Sequence, residues 1–400
     1  MSTHFAREIR EQPRVLEALL REGREAAEVA ANAIRRFGPD WVLIAGRGSS
    51  DNAARYAQYL LGAHNGLGVA LAAPSLFTLY DSPPRLSRAL TIGVSQSGQS
   101  PDIVSVVREA RAQGGLTLAV SNEPESPLSK AAEHTLPLRA GCELSVAATK
   151  SYAAELFALA MLSAALAQSP ERWRELARVP AWLAEVLAMN AELGEAVGAF
   201  RAARKLFVLG RGFNYATACE VALKLKETSY LPAEPYSVAD LLHGPVAMID
   251  GGFPIILIAP SGRSLVDVPG LLSLLEARGA LILAISDSLD VLERVPLHLE
   301  LPKGVPEWLS PLISVVPGQL LAGALAESSG LDPDRPRGLS KDDTFHSDSR
   351  GPSFEGAQDL VSRMDFQPLR LRRLDPSARY GHLPPVFKVG PGMVDSRVRF

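Results

Sequence analysis

Lys224, Lys226, Glu227 and His243 form the densest group of proton-transfer side chains in this chain. On a helix spanning Thr217 to Ser229, Lys224 and Glu227 lie three positions apart and share a face, whereas Lys226 points about 100° away from Glu227. An isolated K-x-x-E is commonly a surface ion pair and a lone histidine is commonly structural. Here the helix follows a glycine turn, and His243-Gly244-Pro245 lies on an irregular segment close by, so the set reads as general acid/base machinery. A second stretch, Ser95-Gln96-Ser97-Gly98-Gln99-Ser100, carries five polar side chains in six residues, more than capping one helix requires. It follows the apolar run Leu90 to Val94 and precedes a helix start at Pro101-Asp102. Free backbone N–H groups and the positive helix end therefore converge on one anion. Each charge-assisted hydrogen bond from Ser95, Gln96, Ser97 or Ser100 adds roughly 1.5–3 kcal/mol, and the helix terminus about 1 kcal/mol. The implied ligand is a phosphorylated small molecule handled by proton transfer.

The elements that must position these groups occur twice. D-W-V-L-I-A-G-R-G-S-S-D at Asp40 recurs as R-K-L-F-V-L-G-R-G-F-N-Y at Arg204, an offset of 164 residues that also carries V-S-Q-S-G-Q-S onto I-A-P-S-G-R-S at Ile258. One further residue of shift carries L-A-V-S-N at Leu118 onto L-A-I-S-D at Leu283. Short aliphatic runs alternate with longer amphipathic stretches in both copies, which predicts two tandem doubly wound α/β domains with parallel sheets. Ligands should lie outside the carboxyl ends of the strands, where G-R-G and S-Q-S-G-Q-S both fall. Gly46 and Gly48 lack the third glycine of a dinucleotide fingerprint, since Asp51 stands in its place, and read instead as a tight strand-to-helix turn with Ser49 and Ser50 facing a ligand. The second copy has Phe213 and Asn214 there and A-P-S-G-R-S for the polar loop, so it is expected to have lost the phosphate cradle. Trp173 and Trp182 in the helical connector read as packing anchors. Cys142 and Cys219 read as small packing residues, forming neither a disulfide framework nor a metal-ligand pattern.

A composition of 47% hydrophobic and 21% charged residues is globular, and 400 residues allow two or three domains. A net charge of −3 gives no electrostatic footprint for nucleic acid. The amino-terminal stretch lacks the apolar core of a signal peptide. Ser151 to Gln168 is patterned as a buried helix interrupted by Glu155 rather than as a membrane span. The expectation is a cytoplasmic protein without nucleic-acid or membrane partners.

These motifs resemble those of the sugar isomerase (SIS) family, and most closely the isomerase half of the glutamine:fructose-6-phosphate amidotransferases. The resemblance runs from R-E-I-R-E-Q-P at Arg7 to R-P-R-G-L-S-K at Arg335. It includes S-Q-S-G-Q-S, where the family usually has S-Q-S-G-E-T, together with E-L-S-V-A-A-T-K at Glu143, A-L-K-L-K-E at Ala222 and L-H-G-P at Leu242. It implies that Ser95, Gln96, Ser97 and Ser100 hold a sugar phosphate, with Gly48, Ser50, Val146 and Ala147 lining the pocket. Glu227 is implied as the residue that moves a proton between C1 and C2, and His243 as the ring-opening acid/base supplied by the neighbouring subunit of a homodimer. Lys341 is implied to engage the open-chain sugar, Lys224 to assist and Arg337 to organise that segment. No metal and no organic cofactor are implied.

Two departures shape the expectation. The amidotransferases begin with a glutamine-hydrolysing domain, whereas Met1-Ser2-Thr3 leads directly into the isomerase resemblance. The expected reaction is therefore conversion of glucosamine 6-phosphate to fructose 6-phosphate with loss of ammonia. An amino-sugar isomerase, a deglycase, an aminotransferase-like isomerase subunit and a non-catalytic sugar-phosphate regulator are the alternatives. The relatives also end near the lysine matched by Lys341, while this chain adds 59 residues, Asp342 to Phe400. That tail has no sustained apolar period and reads as a disordered extension or a frame artefact. The expected organisation is a helical segment over 1–30, a phosphate-binding domain over 31–168, a helical connector over 169–203, a catalytic domain over 204–341 and the tail over 342–400. Replacing Ser97 by Ala should raise the Michaelis constant for a phosphorylated sugar, because a neutral cradle depends on each hydroxyl to satisfy a dianion. Unphosphorylated glucosamine should hardly respond, and equal effects on both sugars would remove the phosphate assignment.

Overall fold

Five short aliphatic runs in each half form a parallel sheet in the computed structural model, which describes residues 3–190 and 193–339. The first sheet comprises β1 (Trp41–Ala45), β2 (Val69–Leu71), β3 (Ala89–Val94), β4 (Leu116–Ser121) and β5 (His134–Pro137), in the order β2-β1-β3-β4-β5. The second comprises β6 (Leu206–Gly210), β7 (Ala233–Ser237), β8 (Pro254–Ile258), β9 (Leu281–Ser286) and β10 (His298–Glu300), in the order β7-β6-β8-β9-β10. Both have the flavodoxin-like order, with the strand direction of winding reversing between β1 and β3 and again between β6 and β8. Every residue of β3 and of β4 is buried, as strands covered by helices on both faces must be. The expected duplication of doubly wound domains is thus present. Lys341 and the Asp342–Phe400 segment lie outside the described residues.

The two copies match in detail at the first turn. The Ser49–Asn65 and Phe213–Ser229 helices each have 17 residues, and their N-caps Gly48 and Gly212 adopt φ/ψ of 55°/−125° and 58°/−129°. These two helices pack against each other, joining the domains. The second begins four residues ahead of the expected Thr217, because the glycine turn delivers Phe213 directly into helical geometry. One continuous apolar cluster runs from Ile44 and Val94 of the first sheet through Tyr152 and Phe157 to Val208 and Ile285 of the second. The Lys150–Leu166 and Ser310–Ser328 helices at its centre are apolar all round, which marks buried helices. The window around Ser310–Ser328 has mean hydropathy 1.6, enough by length and composition for a membrane span, yet 94% of it is buried among other elements.

The His4–Phe37 helix covers one side of this core and is closed at both ends. Thr3 Oγ1 accepts from the Ala6 N–H at 3.2 Å, and the Asp334 carboxylate accepts from the N–H groups of His4 and Phe5, both at 2.7 Å. Four orphan donors are expected at a helix start, and a carboxylate there also opposes the helix dipole. The stretch over 169–203 carries the helices Pro170–Leu176, Val179–Met189 and Gly194–Phe200. In it Trp182 is buried, while the half-buried Trp173 has the Arg24 guanidinium 4.6 Å from its ring centroid. The packing role expected of the cysteines fails for Cys142, which is exposed because it sits in the loop ahead of the Lys150 helix rather than in it. Cys219 is half-buried, and burial pushes its thiol up.

Glu155 is one of several acids buried within the core. Glu155, on the Lys150–Leu166 helix, accepts from Ser50 Oγ at 2.7 Å through Oε1, and its Oε2 has no partner among the described residues. Burial pushes its pKa up from 4.5 to about 8, with the Ser50 bond opposing and Glu220 and Glu143 adding to the rise. Between those values the folded chain keeps a proton that the unfolded chain releases. Stability is then greatest below about pH 4.5 and is lost as pH rises towards 8, at up to about 1.4 kcal/mol per unit for one group. Glu155→Gln keeps the neutral shape, so the variant should melt higher than the wild type at pH 7.5 and show a flatter pH profile between 5 and 8. Parallel thermal profiles would place the Glu155 titration elsewhere.

Candidate active site

The first copy contributes its turns. β1 ends at Ala45, and a Cβ at Gly46 would lie 2.6 Å from the Ser50 carbonyl oxygen, so only glycine allows the helix to start so close to the strand. Across the point where the strand order reverses, β3 opens into the S-Q-S-G-Q-S loop. Ser95 Oγ accepts from the Gly98 N–H at 3.1 Å, and Ser97 Oγ accepts from the Gln99 N–H at 3.3 Å. The Gln96 carbonyl accepts from the Asn122 N–H at 3.0 Å, which ties the loop to the end of β4. Gly98 has φ 62°, and a Cβ there would lie 2.2 Å from Ser126 Oγ, so the bend excludes a side chain. Ser100 is the N-cap of the Pro101–Ala112 helix, but its hydroxyl makes no capping bond. Its side chain is thus not consumed by the ordinary task of a serine at that position. Arg47 Nε donates to Asp102 Oδ2 at 2.7 Å, joining the two turns. The cradle itself remains one of hydroxyls, amides and a helix end.

The second copy contributes the charges. On the Phe213–Ser229 helix, Lys224 is fully buried, with its Nζ 3.4 Å from Glu220 Oε1 and 2.6 Å from Glu227 Oε2. The contact with Glu227 is set off the hydrogen-bonding direction. Burial by itself would lower the Lys224 pKa, but the carboxylates of Glu220 and Glu227 outweigh it and hold the ammonium charged above its ordinary value. Glu220, equally buried, is held by Ser49 Oγ at 2.9 Å and Asn52 Nδ2 at 2.8 Å, both from the facing helix of the first copy. Lys224 Nζ also donates to Ser49 Oγ at 3.2 Å. Burial raises the Glu220 pKa, with Lys224 and Asn52 opposing. Glu227 differs from its two neighbours in being 22% exposed. In this trio it is the member with exposed side-chain surface, and the Lys224 ammonium behind it is fully buried.

The loop holding Val146 and Ala147 is shaped by two internal carboxylates. Glu143 accepts from the Thr149 and Ser151 N–H groups at 2.9 and 3.1 Å and from their hydroxyls at 3.0 and 2.6 Å. Glu8, on the first helix, accepts from the Leu144 and Ser145 N–H groups at 2.5 and 3.1 Å. Val146 is half-buried and Ala147 buried. Near the other end of the charged helix, Tyr230 caps it in the left-handed conformation with φ 55°, and its hydroxyl accepts from the Arg337 N–H at 2.7 Å while the Arg337 guanidinium lies 4.0 Å from the ring centroid. The segment leading towards Lys341 is thereby docked three residues beyond Glu227.

The structure therefore brings Lys224 and Glu227 together and sets Gly48 and Ser50 at the helix packed against them. Ser95, Gln96, Ser97 and Ser100 lie on the adjoining loop. His243 stands apart: it caps the short Val238–Leu242 helix, is exposed, and makes no hydrogen bond or ion pair with Glu227 or Lys224 among the described residues. Sequence reasoning missed Glu220, Asn52 and Glu155. The first could have been found as an i, i+4 partner of Lys224 on the same helix face. Among the described residues no group of three or more His, Cys, Asp or Glu side chains is arranged to hold a metal ion.

Comparisons with known proteins agree with this fold. The SIS domain model matches residues 39–165 and again 199–327. A glutamine–fructose-6-phosphate aminotransferase (isomerizing) of Pyrococcus horikoshii is 34% identical over 344 residues, covering 84% of this chain and 57% of the relative. The corresponding enzyme of Gloeobacter violaceus is 37% identical over 312 residues, covering 75% of this chain and 51% of the relative. The chain thus spans little more than half the length of these relatives. Among solved structures, a candidate phosphosugar isomerase from Silicibacter pomeroyi aligns with TM-score 0.77 and 36% identity over 83% of this chain and 100% of that one. The C-terminal domain of glucosamine-fructose-6-phosphate aminotransferase from Francisella tularensis aligns with TM-score 0.75 and 26% identity, covering 84% and 99%. A glucosamine-6-phosphate deaminase from Thermotoga maritima, 23% identical with TM-score 0.69 over 85% of this chain and 99% of that one, shares the fold. With two repeats matched in order and parallel sheets of the same winding, the chain belongs to the SIS domain family and is homologous to the isomerase domain of glutamine–fructose-6-phosphate aminotransferase.

Proposed function

We propose that this protein is an aldose-ketose isomerase of amino-sugar phosphates that releases ammonia, converting glucosamine 6-phosphate and water to fructose 6-phosphate and ammonia. The observation that carries the reading is the Lys224–Glu227 contact: a buried ammonium at 2.6 Å behind a partly open carboxylate. Ser95, Gln96, Ser97 and Ser100 would hold the phosphate while Ser50 and the Val146–Ala147 loop bound the sugar. After ring opening, Glu227 would take the proton from C2 and return it to C1. The electron pair passes through an enolamine, and Lys224 steadies the charge that develops. Protonation at C1 leaves an iminium at C2, to which water adds and from which ammonia departs.

Ring opening needs a second acid/base, and His243 would supply it to a neighbouring subunit. Its exposure supports this, as does its setting between the exposed side chains of Leu242 and Met248, a surface suited to a partner. Lys341, outside the described residues, would engage the open-chain sugar, with Arg337 fixing the approach. A second reading, an isomerase subunit that uses ammonia supplied from elsewhere, is favoured by the names of the 34–37% identical relatives.

Incubation with glucosamine 6-phosphate, assaying ammonia and fructose 6-phosphate together, separates the two readings. Equal amounts of both products support the deaminating isomerase, and formation of glucosamine 6-phosphate from fructose 6-phosphate only when a glutaminase is added supports the second. Glu227→Gln should retain sugar-phosphate binding and lose at least ~10²-fold in turnover, the scale of a positioned acid/base. A near-normal rate would return Glu227 to a structural ion pair. Mixing the inactive variants His243→Ala and Glu227→Gln should restore part of the turnover, because one site of a mixed dimer then receives both intact residues. Verified heterodimers without activity would put both residues in the same subunit's site.

A further inference from the structure

The loop of the second copy that matches the cradle is not an inert turn. Ser261-Gly262-Arg263-Ser264 follows β8 as Ser97-Gly98-Gln99-Ser100 follows β3, and four of its donors are directed at carboxylates of the chain itself. Arg263 N–H donates to Glu307 Oε2 at 2.9 Å, and Ser264 gives both its N–H, at 2.9 Å, and its hydroxyl, at 2.7 Å, to Glu307 Oε1. Ser261 N–H donates to Asp287 Oδ1 at 2.6 Å. A Cβ on Gly262 would lie 2.4 Å from the Glu307 carboxyl carbon, so the glycine makes room for that acid. Three donors on one carboxylate, spread over both of its oxygens, form the arrangement an oxyanion meets at a strand-to-helix turn.

The first copy differs at both acids. Asn122 stands where the second copy has Asp287, and its amide is spent within its own loop, accepting from Ala140 N–H and donating to the Gly141 carbonyl. Glu143, one domain-length ahead of Glu307, is turned onto Thr149 and Ser151 instead. Among the described residues no carboxylate accepts from the backbone of residues 95–100. The second copy also has Arg263 in place of Gln99, an exposed cation with no ion pair among the described residues. One loop is thus neutral and open to a dianion from outside, while the other brings its own anion and a cation beside it.

We propose that the second domain retains an oxyanion site whose resident ligand is the Glu307 carboxylate, and that this internal ligand limits the chain to one phosphorylated molecule. Tethering gives Glu307 an effective concentration above that of millimolar phosphate, so the site stays closed to small anions. The closure also fixes the turn that follows: Trp308 O accepts from Tyr56 Oη at 2.9 Å and Ser310 Oγ accepts from Asn214 Nδ2 at 2.7 Å, one bond to each of the paired helices. The inference does not depend on the identity of the sugar.

Inorganic phosphate is the probe, with binding counted by calorimetry and melting temperature followed at constant ionic strength. Ser97→Ala/Ser100→Ala should silence the first cradle, leaving a chain that takes up no phosphate. Adding Glu307→Ala to that background should create one equivalent of millimolar binding, and adding Ser264→Ala as well should abolish it. Glu307→Ala should also melt lower than the wild type in chloride and recover more than the wild type does when phosphate is added. Glu307→Ser, which keeps a short polar side chain, carries the same expectations should the alanine variant prove too unstable to purify. Folded Glu307 variants with neither the extra equivalent nor a phosphate-dependent rise in melting temperature would overturn the proposal. The silenced background keeps that result separate from any failure of the first cradle to bind phosphate, which would bear on the proposed function instead.

Discussion

A lysine removed from water dictates much of this architecture. Lys224 can be buried as a cation only if carboxylates surround it and if those carboxylates are themselves satisfied, because an uncompensated charge in a protein interior is penalised by several kcal/mol. Glu220 and Glu227 meet the first demand from the same helix. For Glu220 the second is met from the other domain, by Ser49 and Asn52. The packing of the two first-turn helices is therefore specified by polar groups as much as by the apolar core around them, and the glycine turns serve to place those helix starts close enough to meet.

The duplication has been used asymmetrically. At the offset of 164 residues, Glu220, Lys224 and Glu227 correspond to Tyr56, Leu60 and Ala63, while Ser49 and Asn52 correspond to Phe213 and Ala216. One copy supplies neutral donors and the other supplies charge. The same split recurs at the cradles, where the first copy presents hydroxyls and amides and the second holds Asp287 and Glu307 against its own backbone. Division of labour between equivalent positions explains how two domains of one topology yield a single site of mixed character.

The sheets, the repeat and the glycine turns were legible in the sequence because parallel strands buried on both faces read as continuous aliphatic runs and because the copies share an offset. Lys224 and Glu227 were legible from helical spacing alone. Glu220 falls outside the K-x-x-E pair, although the same helical periodicity reaches it one turn earlier. Glu155 was seen as an interruption of an apolar helix, but its bond to Ser50 spans 105 residues and leaves no local pattern. Glu307 was invisible for the same reason, lying 43 residues from Ser264. In the second copy the residue types of the cradle have changed, and the donors of its loop bond the Glu307 carboxylate of the same chain. The residue type of Cys142 suits packing, and only the position of its loop decides its exposure.

The interlock of the first-turn helices bears on engineering. Repeats of this kind look like exchangeable parts, each with its own sheet and its own turn. Yet excising the first would strip Glu220 of two donors, and excising the second would orphan Ser49 and Asn52, in each case on a surface that was once interior. The two halves are therefore joined by a shared polar cluster as well as by packing, so a graft that exchanged one of them would have to carry the matching face of the other.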